Sequence, residues 1–263
     1  MKYCRLSSHD GPQYGLIETV ASAEQITHIL PVTNGIPDLS NRRSITPLPL
    51  ASAALLAPVQ PSKIVCVGRN YADHAKELGN AVPTDILIFL KPPSSIIAPQ
   101  EKIRRPGISQ RVDFEGELAV IVGKHCCNIR PDEDVQPFIL GYTCANDVTA
   151  RDLQKKDDQW TRAKGFDTFC PVGPLVTDEI DPWTGLRLET RLNGAVKQSA
   201  TTLDFIFPLD AVVRYISGIM TLVPGDLILT GTPAGIAPMA AGDVVEVSIQ
   251  GIGTLRNPVV DAD

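Results

Sequence analysis

Glu115 and Glu117 are separated by one glycine and run directly into the apolar stretch Leu118–Val122. In a strand, side chains two apart share a face, so the two carboxylates point the same way, with Asp113 behind them. Acids that close repel each other, and neither Asp nor Glu favours a strand. A cation between them removes the repulsion. Gly116 either admits a close backbone neighbour or allows a bulge that aims the carboxylates. Asp147 supplies a third acid, at the end of an apolar stretch and just ahead of an expected helix. Three carboxylates with no His or Cys partner select a hard cation in oxygen coordination: Mg²⁺ or Mn²⁺, with Ca²⁺ also admitted. A solvated strand face for the Glu pair and a helix N-cap for Asp147 are the plain alternatives.

His74 and Glu77 lie three apart in Ala72–Leu78, a short helix stopped by Gly79. That spacing puts them on one helix face, where the carboxylate can orient the imidazole and raise its basicity. Such a pair suits a general base that activates water, and it equally suits an ordinary surface pair. Lys91, at the end of an apolar strand, and Lys164, in Arg162–Asp167, could each stabilise developing negative charge beside a metal. Most lysines are simply solvated.

The elements that must position these groups are short strands punctuated by Gly and Pro. Ile64–Val67, Ile86–Leu90, Glu117–Val122, Leu186–Leu192, Leu227–Thr230 and Val244–Ile249 read as strands. Helices are expected at Ala72–Leu78, Asp132–Leu140, Ala150–Lys156 and Thr202–Ile219. Strands outnumber helices without regular βαβ alternation, which disfavours doubly wound and α/β-barrel folds. The expectation is an α+β, predominantly β architecture, a mixed roll or sandwich. Residues 1–60 read as a separate small β-rich unit, with strands at Lys2–Leu6, Tyr14–Val20 and Ile26–Val32. A proline-rich connector (Pro47, Pro49, Pro58, Pro61) then leads into a main unit spanning 61–263.

Composition removes several classes. The net charge of −6 argues against a nucleic-acid surface, which needs clustered Lys and Arg. No apolar run approaches the roughly 18 residues that span a bilayer, and the N-terminus lacks the apolar core of a secretory signal. Six cysteines without a CxxC pair read as reduced thiols, and the cytoplasm is the expected compartment. The signatures GxGxxG, GxxxxGK[ST], GxSxG and HExxH are all absent, so dinucleotide, P-loop and serine-hydrolase chemistry lack support.

Taken in order, VGRNYADH, FLKP, DFEGELAVIVG, ANDVTARDLQ, AKGFD and GDLILTGTPAGI closely resemble the fumarylacetoacetate hydrolase family, from about Lys63 to Val260. The resemblance implies a mixed β-roll, a homodimer and, for 1–60, the small N-terminal domain of some bacterial members. It implies that Glu115, Glu117 and Asp147 are metal ligands, that His74 and Glu77 form the water-activating dyad on a closing segment, and that Lys164 lies near substrate and metal. Arg69, Tyr71, Lys91, Arg151, Gln154 and Thr232 carry over as substrate contacts. The implied activity is hydrolysis of a C–C bond in a small 2,4-dioxo acid such as an acylpyruvate, through a metal-stabilised enolate. Oxaloacetate decarboxylation and 2-hydroxyhepta-2,4-diene-1,7-dioate isomerisation or decarboxylation would use the same site. A non-catalytic ligand-binding module is the alternative from another class.

Overall fold

The structure, a computed structural model, describes residues 1–262; Asp263, the last residue of the expected main unit, lies outside the described residues. Strands dominate and build two principal sheets. The larger runs in the order Arg43–Pro49, Ala23–Leu30, Gly11–Val20, Lys2–Ser8, Cys170–Thr177, Ile139–Asn146, Gly116–Val122, Leu227–Leu229, Ile64–Gly68, Leu87–Lys91. The smaller follows the order Ile103–Arg105, Gly253–Asp261, Val244–Ile249, Arg187–Leu192, Ala195–Thr201. Among the described residues there are four α-helices, α1 (Ala72–Glu77), α2 (Arg151–Lys156), α3 (Thr161–Lys164) and α4 (Leu209–Ile219), the last of which packs Val212, Val213 and Ile216 into an apolar core. This is the mixed, mainly β roll expected from the sequence.

The N-terminal strands extend the larger sheet without a break: Lys2 and Tyr3 pair with Thr177 and Val176. The outer edge of that sheet is Arg43–Pro49, where Pro47 and Pro49 have no amide hydrogen to offer a further strand. No described helix is long and apolar enough to cross a membrane.

Strand Gly116–Val122 is buried along its whole length and separates two apolar cores. Leu118, Val120 and Val122 pack with Leu188, Val247 and Ile249 of the smaller sheet. Ala119 and Ile121 face the opposite way, among Ile64, Cys66, Val172 and Leu227. The alternation fixes where the acids point. Gly116 lies on the smaller-sheet face, so Glu115 and Glu117 fall on the other.

Two expected helices are corrected. Asp132–Leu140 holds only a 3₁₀ turn, Gln136–Phe138, and then becomes strand Ile139–Asn146, whose β-branched and aromatic residues continue an antiparallel ladder. Thr202–Ile219 is divided: a 3₁₀ turn at Thr202–Asp204 precedes Pro208, and α4 starts only at Leu209, because Pro208 cannot donate within a helix. Gly116 meets a side chain where a backbone neighbour or a bulge was expected. A Cβ there would stand 2.0 Å from Thr190 Oγ1 and 3.2 Å from both Val247 methyls. Gly116→Ala should therefore destabilise the protein by about 1–3 kcal/mol through overpacking, measured by urea unfolding. Thr190→Ala added to it should recover part of the loss; an alanine tolerated without cost would show that the two sheets are not in this contact.

Candidate metal centre and cavity

The antiparallel pairing of Gly116–Val122 with Ile139–Asn146 creates the acidic cluster. Gly116 lies opposite Asn146 and Glu117 opposite Ala145, and the ladder continues with Asp147 N–H donating to the Glu115 carbonyl at 2.8 Å. Asn146 Oδ1 also accepts from Glu115 N–H at 2.9 Å. One carboxylate oxygen from each of Glu115, Glu117 and Asp147 lies within 4.8 Å of the others. Asp147 does not cap α2; the residue at that cap is Ala150.

All three acids are at most 4% exposed, so their charge must be met locally. Lys164, at the end of α3, donates to Glu115 Oε2 at 2.8 Å and Asp147 Oδ2 at 2.5 Å, with its ammonium 5.0 Å from the Phe89 ring centroid. Arg151, first in α2, donates to Glu115 Oε1 and, at 2.9 Å, to Asp113 Oδ2; its other amino group reaches Gln154. Arg111 donates to the second oxygen of Asp113 at 2.8 Å. Asp113 is thus the carboxylate that holds Arg151 in place.

Burial works against the charge of Glu115, but the Lys164 ammonium and then the Arg151 guanidinium hold its carboxyl well below the usual range. Burial also opposes the charge on Lys164, yet Asp147 and Glu115 keep its pKa above the ordinary lysine value. Glu117 differs. Burial, then the charges of Asp147 and Glu115, push its carboxyl well above the usual range. Its bonded partner is the Gly231 amide at 2.6 Å, and no basic side chain bonds it among the described residues. An all-carboxylate cluster with one under-compensated member fits a hard divalent cation.

The cluster floors a cavity of about 230 Å³, walled also by Arg69, His74, Arg151, Gln154, Lys164 and Thr232. His74 is 4% exposed, and its Nδ1 lies 3.3 Å from Glu77 Oε2. Glu77 Oε1 accepts from Gly235 N–H at 3.1 Å, which anchors the pair from outside. Arg69 sits at φ +59°, a left-handed conformation, with its buried Nε unpartnered and its guanidinium 5.8 Å from the Trp160 ring. Lys91 does not line the cavity as expected for a substrate contact. It is sealed behind Asp147, donating to Oδ1 at 2.7 Å and to the Val148 carbonyl at 3.2 Å, because the strand end aims it at that buried charge. Tyr71 lies outside the cavity wall too, edge-on to Phe205 at 5.1 Å between centroids. Trp160 and Lys155 also line the cavity, and Asn146 and Gln198 bond the backbone of Glu115 and Gly116. Asn146 adjoins Asp147 and could have been suspected; nothing local marks Gln198.

Known proteins share this arrangement of chain. Residues 63–260 match the fumarylacetoacetate (FAA) hydrolase C-terminal family. The structure of 2-hydroxyhepta-2,4-diene-1,7-dioate isomerase from Mycobacterium marinum is similar at TM-score 0.87 and 46% identity, covering 99% of this chain and 98% of that one. The mitochondrial oxaloacetate tautomerase of Xenopus laevis is 44% identical over 80% of this chain and 69% of its own. Fumarylpyruvate hydrolase from Pseudomonas aeruginosa, solved with Mn²⁺ and pyruvate, matches at TM-score 0.72 and 29% identity, over 78% and 91% of the two chains.

Arg151 is the counter-charge to two buried carboxylates. Arg151→Met should cost about 3–5 kcal/mol in urea unfolding, the penalty for stranding buried charge. A loss under about 1 kcal/mol would mean that Asp113 and Glu115 are compensated elsewhere.

Proposed function

This chain belongs to the fumarylacetoacetate hydrolase family, and from that premise we propose that it is a divalent-metal-dependent enzyme that moves a proton beside the keto group of a small 2-oxo dicarboxylic acid, as an isomerase or tautomerase. The observation that carries the reading is His74: a buried imidazole backed by Glu77, in the same cavity as the acidic cluster. Glu115, Glu117 and Asp147 would hold Mg²⁺ or Mn²⁺, with Ca²⁺ a third candidate. Bound there, the cation supplies Lewis-acid polarisation of the 2-oxo carboxylate.

The chain's own residues do the rest. His74 takes the proton from the carbon next to the keto group and returns it elsewhere, while Glu77 orients the ring. Lys164, kept charged by its two carboxylates, stands where negative charge develops on the substrate. Arg151 and Gln154 shape the inner wall, with Thr232 beside them. Arg69, with an unpartnered Nε, and Lys155, exposed at the mouth, give the outer end a positive character suited to a second carboxylate. All of these residues lie beyond residue 60, so the proposal places catalysis in 61–263 and assigns 1–60 a supporting role.

Proton transfer takes precedence over hydrolysis because relatives named for isomerisation and tautomerisation share 46% and 44% of aligned residues, against 36% and 29% for two named hydrolases. Hydrolysis of an acylpyruvate is the second reading, favoured by the likeness to fumarylpyruvate hydrolase. There His74 would activate water instead.

A panel of oxaloacetate, a hydroxydienedioate and an acylpyruvate, each with Mg²⁺ or Mn²⁺, decides the reaction. Catalysed keto–enol exchange of oxaloacetate or isomerisation of the dienedioate is expected. Pyruvate release from the acylpyruvate alone would move the assignment to the hydrolase. His74→Ala should lower the rate by about 10²–10⁴-fold, as expected for a lost general base. Its Mn²⁺ affinity should stay at the parent value; parent-rate turnover would place the base elsewhere. Sedimentation under reducing conditions should give twice the chain mass, as the proposed homodimer requires, and a monomer at micromolar concentration would count against it.

A further inference from the structure

One amide side chain connects the acidic cluster to the helix that carries His74. Gln198, on the edge strand Ala195–Thr201 of the smaller sheet, has no exposed surface. Its Oε1 accepts from Gly116 N–H at 3.0 Å. Its Nε2 donates to Thr232 Oγ1 at 2.8 Å and to the Pro233 carbonyl at 2.7 Å. The Thr232 hydroxyl in turn donates to the Gly116 carbonyl at 2.9 Å. Both peptide groups flanking Gly116 are thereby held, and Gly116 is the residue that separates Glu115 from Glu117.

The loop that Gln198 grips, 231–235, contacts both halves of the site through its ends. Gly231 N–H donates to Glu117 Oε2 at 2.6 Å, and Gly235 N–H donates to Glu77 Oε1 at 3.1 Å. Gly235 is also pressed against the same edge strand, since a Cβ there would stand 1.9 Å from the Lys197 carbonyl. One carboxylate of the cluster and the carboxylate behind His74 therefore hang from a single five-residue loop. Gln198 sets the height of that loop, with both of its amide hydrogens and its oxygen committed.

We propose that Gln198 is a positioning residue that fixes the cation-binding carboxylates and the His74–Glu77 pair relative to each other, so that cation affinity and proton transfer are set together. The inference rests on the reading of Glu115, Glu117 and Asp147 as a cation site. It concerns a residue that touches neither cation nor substrate.

Calorimetric titration with Mn²⁺ tests it. Gln198→Met, similar in length but unable to make the three bonds, should bind Mn²⁺ at least about tenfold more weakly than the parent, as when groups that orient metal ligands are lost. Thr232→Val should shift the affinity in the same direction, and Thr232→Ser, which keeps the hydroxyl, should stay near the parent. In a double-mutant cycle on kcat, Gln198→Met and Glu77→Gln should lose less together than the product of their separate losses, because both act through the placement of Glu77. A folded Gln198→Met protein with the parent Mn²⁺ affinity overturns the proposal, as do strictly multiplicative losses. If Gln198→Met does not fold, Thr232→Val decides: parent Mn²⁺ affinity overturns the proposal, and weakened affinity upholds it. A parent protein that binds no Mn²⁺ would overturn the cation reading and this inference with it, whereas tight parent binding left unchanged in the variants removes this inference alone.

Discussion

Negative charge held away from water is the condition to which the site region is built. Asp113, Glu115, Glu117 and Asp147 are all at most 4% exposed, and an unpaired carboxylate so placed would be prohibitively costly. Each cation that answers them is delivered by a different element. Lys91 comes from the edge strand Leu87–Lys91, Arg151 from the start of α2, and Lys164 from the end of α3. These short helices have little hydrophobic area of their own and are fixed by ion pairs as much as by packing. The same arrangement leaves Glu117 bonded, among the described residues, to an amide and to no basic side chain. Burial with the charges of Asp147 and Glu115 outweighs what the Lys164 ammonium and that amide offset, so the charge balance is open where a ligand would close it.

The second requirement is a rigid strand beneath the acids. Gly116–Val122 is hydrogen-bonded on both sides and packed on both faces, which suppresses any slip in register. A shift of one residue would turn Glu115 and Glu117 into the apolar core beside Leu188 and Val247. The glycine between them allows the smaller sheet to approach until Thr190 fills the place of a side chain. Precision at the cluster thus derives from two sheets meeting closely at one backbone position.

Much of this was legible in the residues, for identifiable reasons. Period-two alternation put Glu115 and Glu117 on one face, and a three-residue helical spacing brought His74 and Glu77 together. The mainly β class followed from short runs broken by Gly and Pro. What escaped was settled by tertiary context. Lys91 reads from sequence as a strand-end lysine that could serve a metal site or a substrate, and only the folded chain brings Asp147 to it across 56 residues. Ile139 and Leu140 read as the end of a helix, whereas they belong to strand Ile139–Asn146, which ladders on both sides claim. Gln198 sits between Lys197 and Ser199 in an unremarkable polar stretch, and its importance exists only where a second sheet meets a loop from elsewhere in the chain.

The proline-bearing edge of the larger sheet bears on how the molecule behaves in a crowd. An open strand edge is a template for another chain, and long sheets invite stacking end to end. In Arg43–Pro49 two prolines withhold amide hydrogens at one end, and exposed Arg43 sets a charge at the other. The N-terminal strands therefore do more than lengthen the sheet. They move this edge of the sheet away from apolar strand Cys170–Thr177, whose Val176 and Thr177 pair with Tyr3 and Lys2, and finish it in a strand that strangers cannot easily join. The first sixty residues act, in colloidal terms, as a hem.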